Sequence, residues 1–201
     1  MLLLFDFFAL PVDVAMAELP AFDRVRLLES ARPIQDAELT DQNGRPFQLS
    51  RLQGTVSLVF FGFTNCPDVC PLAMQRLRQL EESGGHDLAN VMYVMISVDG
   101  ERDTPDVLKT FLEHFSPRFI GLTGEPGSVK AIAKEFSAAF FKGSVTDGIS
   151  NYNVSHSPQI FVLDPAGRLR AEYSNASTEA MSGVTLALLK EAQEQSGSAE
   201  E

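Results

Sequence analysis

The sequence predicts an α/β protein in which a central mixed sheet is flanked by helices. Two observations support this fold class. Residues 56–61 and 91–98 are short, almost wholly apolar runs, with the length and composition of strands buried on both faces of a sheet. Between them, residues 67–82 repeat apolar side chains at helical spacing. Strands that alternate with helices are typical of layered α/β folds.

The first predicted element of the domain is a β-hairpin. Residues 38–41 and 47–49 flank Asn43-Gly44, a pair that favours the tight type I′ turn. We expect this hairpin as an N-terminal extension of the sheet. The buried strand 56–61 follows it, and the helix 67–82 then ends at a serine and two glycines.

The second half of the chain continues the alternation. Thr104 is a typical N-cap residue and Pro105 fits the first position of a helix. The predicted elements are the strand 91–98, the helix 105–115, the strand 119–122, the helix 127–137, the strands 159–163 and 168–173, and the helix 178–192. This order of strands and helices is that of a thioredoxin-like fold.

Changes in composition divide the chain near its ends. Residues 1–17 are mostly apolar and end in Ala15-Met16-Ala17, a small-x-small pattern of secretory cleavage sites, without the Lys or Arg that usually precede one. A spanning helix needs roughly 20 apolar residues, and this segment has fewer. We expect an apolar signal segment at 1–17, a linker at 18–35, the folded domain at 36–194 and a disordered tail at 195–201.

Charge and the N-terminus limit the function and the compartment. The 27 acidic and 16 basic residues give a net charge of -11. This argues against nucleic acid as a partner, because phosphates require clustered Lys and Arg. The apolar N-terminus predicts export. We therefore expect an extracytoplasmic protein, secreted or membrane-associated, in the bacterial periplasm, with at most a weak membrane association.

Cys66 and Cys70, the two cysteines of the chain, are its strongest functional signal. They lie where a buried strand leads into a helix, and we expect Cys66 near the N-cap and Cys70 one turn further. A helix N-terminus lowers the pKa of a thiol. Residues four apart on a helix have Cα atoms about 6 Å apart, which suits a disulfide or a shared metal ion. Spacing alone does not separate a redox pair from a metal site.

Several interpretations of this pair remain open. A structural disulfide would close almost no loop and add little stability. Two inert, buried cysteines fit poorly with the exposed turn that Asn65, Pro67 and Asp68 predict. A thiol–disulfide oxidoreductase usually has two residues between its cysteines, whereas this motif has three. A metal site requires a third ligand.

The candidates for that ligand are three histidines. His86 lies in a polar loop and His114 on a predicted helix surface, where solvation explains both. His156 ends a long connection without hydrophobic periodicity, residues 142–157, and precedes the strand 159–163, which in a thioredoxin-like topology runs beside the cysteine turn. A loop histidine bonded to backbone is the alternative. Two thiolates and one imidazole suit copper, as Cu+ or Cu2+, with zinc second.

Separate motifs of the chain together resemble the Sco/SenC family of copper proteins, which are involved in cytochrome oxidase assembly. The motifs are FGFTNCPDVCP at 61–71, SVDGERDTP at 97–105, RFIGLTG at 118–124, HS at 156–157 and DPAG at 164–167. The resemblance covers residues 39–190. It implies a thioredoxin-like fold, copper ligands at Cys66, Cys70 and His156, and delivery of copper or reducing equivalents to the oxidase copper centre.

The chain departs from this family at two residues and at its N-terminus. Ser155 stands where members usually carry Asp before the ligand histidine, and Gly100 stands where Pro is frequent. The apolar N-terminus is too short for the transmembrane helix that tethers most members.

The resemblance also implies a partner, which is the copper-centre subunit of cytochrome c oxidase or another copper or thiol protein. We expect a metallochaperone rather than an enzyme. The alternatives are a thiol–disulfide oxidoreductase that acts through Cys66 and Cys70, and an interaction module that has lost its site.

Overall fold

The computed structural model of the chain describes residues 24–142, 154–156 and 158–197. Within these ranges the chain forms ten β-strands, four α-helices and a short 3-10 helix. The strands are β1 (Arg24–Pro33), β2 (Glu38–Asp41), β3 (Pro46–Gln48), β4 (Ser57–Gly62), β5 (Met92–Ser97), β6 (Ile120–Thr123), β7 (Phe140–Lys142), β8 (Val154–His156), β9 (Ile160–Leu163) and β10 (Arg168–Asn175). The helices are α1 (Val69–Gly84), α2 (Pro105–Glu113), α3 (Pro126–Glu135) and α4 (Thr178–Gly197).

Eight strands form one mixed sheet in the order β1-β10-β9-β4-β5-β6-β2-β3. The strands β4, β5 and β6 run parallel, while β9 pairs with β4 in the antiparallel direction. Every residue of β4 is buried, so both faces of the sheet are covered at its centre. The predicted architecture, a central mixed sheet flanked by helices, is confirmed.

The parallel strands determine where the cysteines lie. Parallel neighbours need a crossover connection, and α1 provides it between β4 and β5. The chain therefore leaves the carboxyl end of β4, makes a turn and enters α1. That turn contains Cys66, and Cys70 follows inside the helix.

The predicted N-terminal hairpin is confirmed as β2 and β3. Leu39 lies opposite Phe47, and both side chains are buried. Gly44 has a φ of 74°, in the left-handed region that favours glycine in such turns. Because β2 also pairs with β6, the hairpin extends the sheet beyond its parallel strands.

The predicted linker at 18–35 is wrong for residues 24–33, because they form β1 and pair with β10. Arg26 lies opposite Glu172 and forms an ion pair with it. Val25 and Leu27 pack against the core. The alternation of charged and apolar residues from Arg24 to Leu27 is typical of a half-buried strand, although the same residues were predicted to be a linker. The predicted signal segment lies outside the described residues.

Two predicted helix boundaries also differ from the structure. The helix α1 begins at Val69, because Asp68 has a non-helical backbone with φ -139° and ψ -77°. Cys66 therefore lies outside the helix, two residues before its N-cap, and Cys70 is the second residue of α1, earlier than the predicted position one turn into the helix. The last helix, α4, continues to Gly197 and includes the first residues of the predicted tail. Residues 198–201 lie outside the described part of the chain.

The core beside the cysteine turn is aromatic. Phe61, Phe136 and Phe161 contact one another edge to face, with ring centroids 5.2 to 5.9 Å apart. Such contacts add to the stabilisation that comes from burial. Among the described helices, none has both the length and the apolar composition needed to cross a membrane.

Candidate metal centre

In the cysteine turn and the start of α1, the two cysteine side chains are buried although neighbouring residues are exposed. The N–H of Cys66 donates to the carbonyl oxygen of Phe63 at 3.4 Å, which closes the turn. Neither Cys66 nor Cys70 is part of a disulfide, and their side chains are only 7% and 0% exposed. Asn65 and Pro67 are exposed. The expectation of an exposed turn is therefore correct for the flanking residues and wrong for the cysteines.

Two features of the backbone bring Cys70 against β4. The N–H of Phe63 donates to Sγ of Cys70 at 3.5 Å. A Cβ atom on Gly62 would lie 2.9 Å from that sulfur and 2.5 Å from Cε1 of Phe60. Neither distance is compatible with van der Waals contact. Gly62 therefore leaves the space that the Cys70 sulfur occupies.

Burial raises the pKa of the Cys70 thiol. The hydrogen bond from Phe63 acts in the opposite direction, whereas the neighbouring Cys66 and Asp103 add to the increase. The predicted lowering of the thiol pKa by the helix N-terminus is wrong for Cys70, because desolvation outweighs it. At neutral pH Cys70 is a thiol, and it must release its proton to bind a metal ion.

The two cysteine side chains form a hydrogen bond with each other. Sulfur atoms in hydrogen-bonding contact are neighbours, as both a shared metal ion and a disulfide require. The arrangement therefore supports both interpretations that the spacing left open, the metal site and the redox pair. The contact between the two sulfur atoms is less consistent with two inert cysteines, because cysteines that only fill space in a core need not contact each other.

His156 is described through its backbone alone. It ends β8 and lies opposite Phe140 in the two-stranded pairing of β7 and β8. The predicted long connection thus has strands at its ends, while residues 143–153 lie outside the described part. Among the side chains that the structure describes, no three His, Cys, Asp or Glu residues come together as a metal site. The assignment of His156 as the third ligand stays a prediction.

The other two histidines lie on the surface, as predicted. His114 follows α2, is exposed, and its Nδ1 lies 2.6 Å from the carbonyl oxygen of Thr110. His86 is exposed in the connection between α1 and β5. Neither lies in the turn that contains the cysteines.

A buried carboxylate that was not among the predicted site residues lies beside the cysteine turn. Asp103 is 0% exposed and accepts three hydrogen bonds. The N–H and the hydroxyl of Thr64 donate to it at 3.0 and 2.6 Å, and the hydroxyl of Ser97 donates at 2.6 Å. Thr64 is two residues before Cys66. The only sequence signal for Asp103 was its position inside the motif at 97–105.

A second buried acid stabilises the same loop. Asp99 forms an ion pair with Arg102, whose guanidinium carbon lies 6.0 Å from the centroid of the Phe63 ring. The N–H of Asp99 donates to Oγ of Ser97 at 3.0 Å. Because Ser97 accepts this bond, its own proton is available to Asp103. The loop between β5 and α2 therefore contacts the cysteine turn at Thr64 and Phe63.

The first turn of α1, which follows the cysteine turn, has an apolar surface. Val69 and Leu72, in the first turn of α1, are exposed. They border a groove of about 300 Å³ whose lining also includes Ile160 and Met181. Thr64 in the cysteine turn thus joins a buried polar network, while residues of α1 that follow the turn line an apolar groove.

Comparison with known proteins relates this geometry to a family. The sequence profile described as SCO1/SenC matches residues 28–189. A SCO2-like protein of Rickettsia felis is 38% identical over 133 residues, which make up 66% of this chain and 65% of that protein.

Solved structures with the same fold include ScoI of Bradyrhizobium japonicum with copper bound. Its TM-score is 0.70 at 32% identity, over 78% of this chain and 99% of that one. Apo Sco1 of Thermus thermophilus has a TM-score of 0.70 at 35% identity, over 84% and 98% of the two chains. These neighbours confirm the predicted thioredoxin-like fold. Because the family profile also matches well over half of the present chain, the chain belongs to the SCO1/SenC family.

Proposed function

We propose that this protein is a copper metallochaperone that delivers copper, or reducing equivalents, for assembly of the copper centre of cytochrome c oxidase. The observation that carries the proposal is the pair of buried, mutually hydrogen-bonded thiols of Cys66 and Cys70. Thiolate sulfur is a donor that copper prefers. The similarity to ScoI of Bradyrhizobium japonicum, solved with copper bound, supports the choice of metal.

The proposed ligands are Cys66, Cys70 and His156. Two thiolates and one imidazole form a soft to borderline donor set that fits Cu+ and Cu2+, ahead of zinc. His156 comes shortly before β9 in the chain, and β9 pairs with β4, whose carboxyl end leads to the cysteines. This order supports the assignment of the histidine. Ser155, in place of the family's usual Asp, leaves all three donors in the chain.

Copper is the cargo of this site, and the two cysteines also have a redox chemistry of their own. The dithiol of Cys66 and Cys70 can give two electrons and two protons to a disulfide of the acceptor. The acceptor then has two thiols, and Cys66 and Cys70 have formed a disulfide. The partner is a copper-centre subunit of cytochrome c oxidase or another copper or thiol protein, and both reactions need its cysteines close to Cys66.

A thiol–disulfide oxidoreductase is the second candidate. The hydrogen bond between the two cysteines favours it, because the same proximity that suits a shared ion suits a disulfide. This function does not need His156. A variant of the histidine therefore separates the two candidates.

We propose an extracytoplasmic location, in the bacterial periplasm, with at most a weak membrane association. The apolar residues 1–17 and their small-x-small ending support export. The test is fractionation of cells that express the whole gene product, with the mass of the purified protein measured. A cytoplasmic protein that retains Met1 would contradict this location.

Metal analysis of the reduced protein tests the copper site. We expect about one copper per chain after loading and removal of excess metal, since one set of soft donors exists. Cys66→Ser and Cys70→Ser should lose stably bound copper, and His156→Ala should weaken it by orders of magnitude. His114→Ala is the matched control, because His114 is exposed at the end of α2 and its ring contacts the carbonyl oxygen of Thr110 in that helix.

The results discriminate between the two candidates. Tight copper binding by either serine variant would show that the ligand assignment is wrong. Unchanged copper affinity in His156→Ala, with normal disulfide exchange, would favour the oxidoreductase.

A further inference from the structure

We propose that Asp103 is a positioning residue for the copper site, which acts through Thr64 to hold the Cys66 end of the turn against Cys70. The proposal rests on the proposed function, because it assigns a role within the same site. Three sets of contacts support it: those that fix Asp103, those that connect it to Thr64, and those that connect Thr64 to the cysteines.

Asp103 is itself held rigidly. Its N–H donates to the carbonyl oxygen of Asp99 at 2.9 Å, and its carboxylate accepts the hydroxyl proton of Ser97, the last residue of β5. The next residue, Thr104, is the N-cap of α2 and accepts a hydrogen bond from Val107. The side chain of Asp103 is therefore attached to a central strand, and its backbone directly precedes the N-cap of a helix.

Two hydrogen bonds then fix Thr64. One comes from its backbone N–H and the other from its side-chain hydroxyl, and they end on different oxygens of Asp103. A two-point attachment of this kind restricts both the backbone and the side-chain rotamer. Hydrogen bonds to a carboxylate are about twice as strong as neutral ones.

Thr64 directly follows the residue that contacts both cysteines. The N–H of Phe63 donates to Sγ of Cys70, and its carbonyl oxygen accepts the N–H of Cys66. A displacement of Thr64 would move the peptide group between Phe63 and Thr64, which carries that carbonyl. Loss of the Asp103 carboxylate should therefore loosen the distance between the two sulfurs without removing a ligand.

Three variants test this role, and a fourth serves as the control. Asp103→Asn keeps the volume of the side chain but replaces one accepting oxygen by an NH2 group that only donates, so at least one of the three hydrogen bonds is lost. Thr64→Val removes the hydroxyl, and Thr64→Ser restores it.

Asp164→Asn is the matched control, because Asp164 is also a buried carboxylate, 2% exposed, and accepts hydrogen bonds from backbone and arginine donors. Its neighbour Leu163 pairs with Ser57, at the opposite end of β4 from Gly62. At a rise of about 3.3 Å per residue, the control lies roughly 16 Å along the strand from the cysteine turn.

Each variant is measured in four ways. Copper affinity comes from competition with a chelator, and ligand geometry from the sulfur-to-copper charge-transfer absorption. The third readout is the equilibrium with oxidised glutathione, in which the dithiol of Cys66 and Cys70 becomes a disulfide and two glutathione thiols are released. The fourth is the thermal unfolding midpoint of the copper-free protein.

We expect Asp103→Asn and Thr64→Val to weaken copper binding by about 10-fold or more, as observed when a residue that orients a ligand is lost. Both should shift the charge-transfer absorption and disfavour the disulfide. Thr64→Ser should behave like the unmodified protein in copper affinity, charge-transfer absorption and the glutathione equilibrium. Asp164→Asn should lower the unfolding midpoint alone.

The proposal is overturned if Asp103→Asn and Thr64→Val change the unfolding midpoint alone, as the control does. If Asp103→Asn does not fold, the difference between Thr64→Val and Thr64→Ser decides the question. Failure of the unmodified protein to bind copper would contradict the proposed function, and the glutathione equilibrium would then decide the role of Asp103 by itself.

Discussion

Cys70 occupies a space that depends on the absence of a side chain at Gly62. The sulfur lies so close to β4 that a single methyl group there would overlap it. The neighbouring Phe60 ring closes the other side of the same space. Packing in protein interiors is dense enough that such an overlap cannot be absorbed without movement of side chains.

Gly62→Ala should therefore destabilise the protein by about 1–3 kcal/mol, the usual cost of overpacking a core, and should displace the Cys70 sulfur. The measurement is chemical denaturation together with copper titration of the reduced protein. Gly127→Ala is the control, because a Cβ at Gly127 meets no atom within 4 Å and the residue lies in α3. That variant should be neutral or slightly stabilising. Equal stabilities for the two variants would contradict the packing argument.

At the scale of elements, the β9–β10 hairpin is held by a buried carboxylate. Asp164 accepts hydrogen bonds from the backbone of Ala166 and from Arg168, and Arg170 links it to Glu191 of α4. Burial alone would raise the pKa of Asp164, but the arginines and the backbone donors outweigh it, so the pKa is lowered.

This shift predicts a pH dependence of stability. A lowered pKa in the folded state stabilises the protein wherever the unfolded chain has the carboxylate ionised, which is above about pH 4. We expect Asp164→Asn to cost about 2 kcal/mol at neutral pH, as for hydrogen bonds to a charged group. The difference from the unmodified protein should shrink as the pH falls below about 4. Denaturation of both proteins between pH 7 and 3 measures it, and a constant difference would contradict the assignment.

The strand β1 is the second element with a testable role. It covers the edge of β10, and its residues Val25, Leu27 and Leu28 are half-buried against the core. Removal of residues 1–33 should lower the free energy of unfolding by about 3 kcal/mol, at roughly half the full burial contribution per side chain. The uncovered edge of β10 should also promote association, because unpaired strand edges pair with other chains.

The measurements are denaturation and sedimentation of the shortened chain beside the longer one. Arg26→Ala serves as the control, since the Arg26 side chain is 64% exposed and its ion pair with Glu172 should contribute less than about 1 kcal/mol. An unchanged free energy of unfolding after removal of β1 would show that its pairing with β10 does not stabilise the protein.

At the scale of the whole molecule, the negative net charge and the single pair of cysteines limit which ligands the protein can bind. A net charge of -11 is compatible with a cation and unfavourable for nucleic acid. Copper binding and disulfide exchange both use the sulfur atoms of Cys66 and Cys70, so one molecule cannot perform both at the same time. If Cys66 and Cys70 are the copper ligands, as proposed, the oxidation state of the pair decides whether the protein can hold copper.

We expect reduced protein to bind copper and oxidised protein not to bind it. A disulfide removes both thiolates, and His156 alone does not hold copper against competing ligands. His156→Ala should still form the disulfide while its copper affinity falls by orders of magnitude. Titration of each redox form against a competing chelator measures this dependence. Equal affinity in the oxidised and reduced forms would rule it out.

Local patterns in the sequence were sufficient for most of the architecture. The apolar runs before Cys66 and before Ser97 indicated buried strands, and Asn43-Gly44 indicated the hairpin, because turn type and strand burial follow from short-range chemistry. The motifs around Cys66 and Cys70 also identified the candidate site. The strand β1 was missed because its alternation is short and its charged residues are typical of a linker as well as of an edge strand.

Only the tertiary structure decided the environment of the cysteines. Cys70 is buried and its pKa is raised, although its position near a helix N-terminus predicted the opposite. Asp103 reaches Thr64 across 39 residues of sequence, through the pairing of β4 with β5. Desolvation and contacts between distant segments depend on how the whole chain packs, and no local pattern encodes them. The sequence by itself therefore determined the candidate ligands, while the fold determined the side chains that hold and shield the two cysteines.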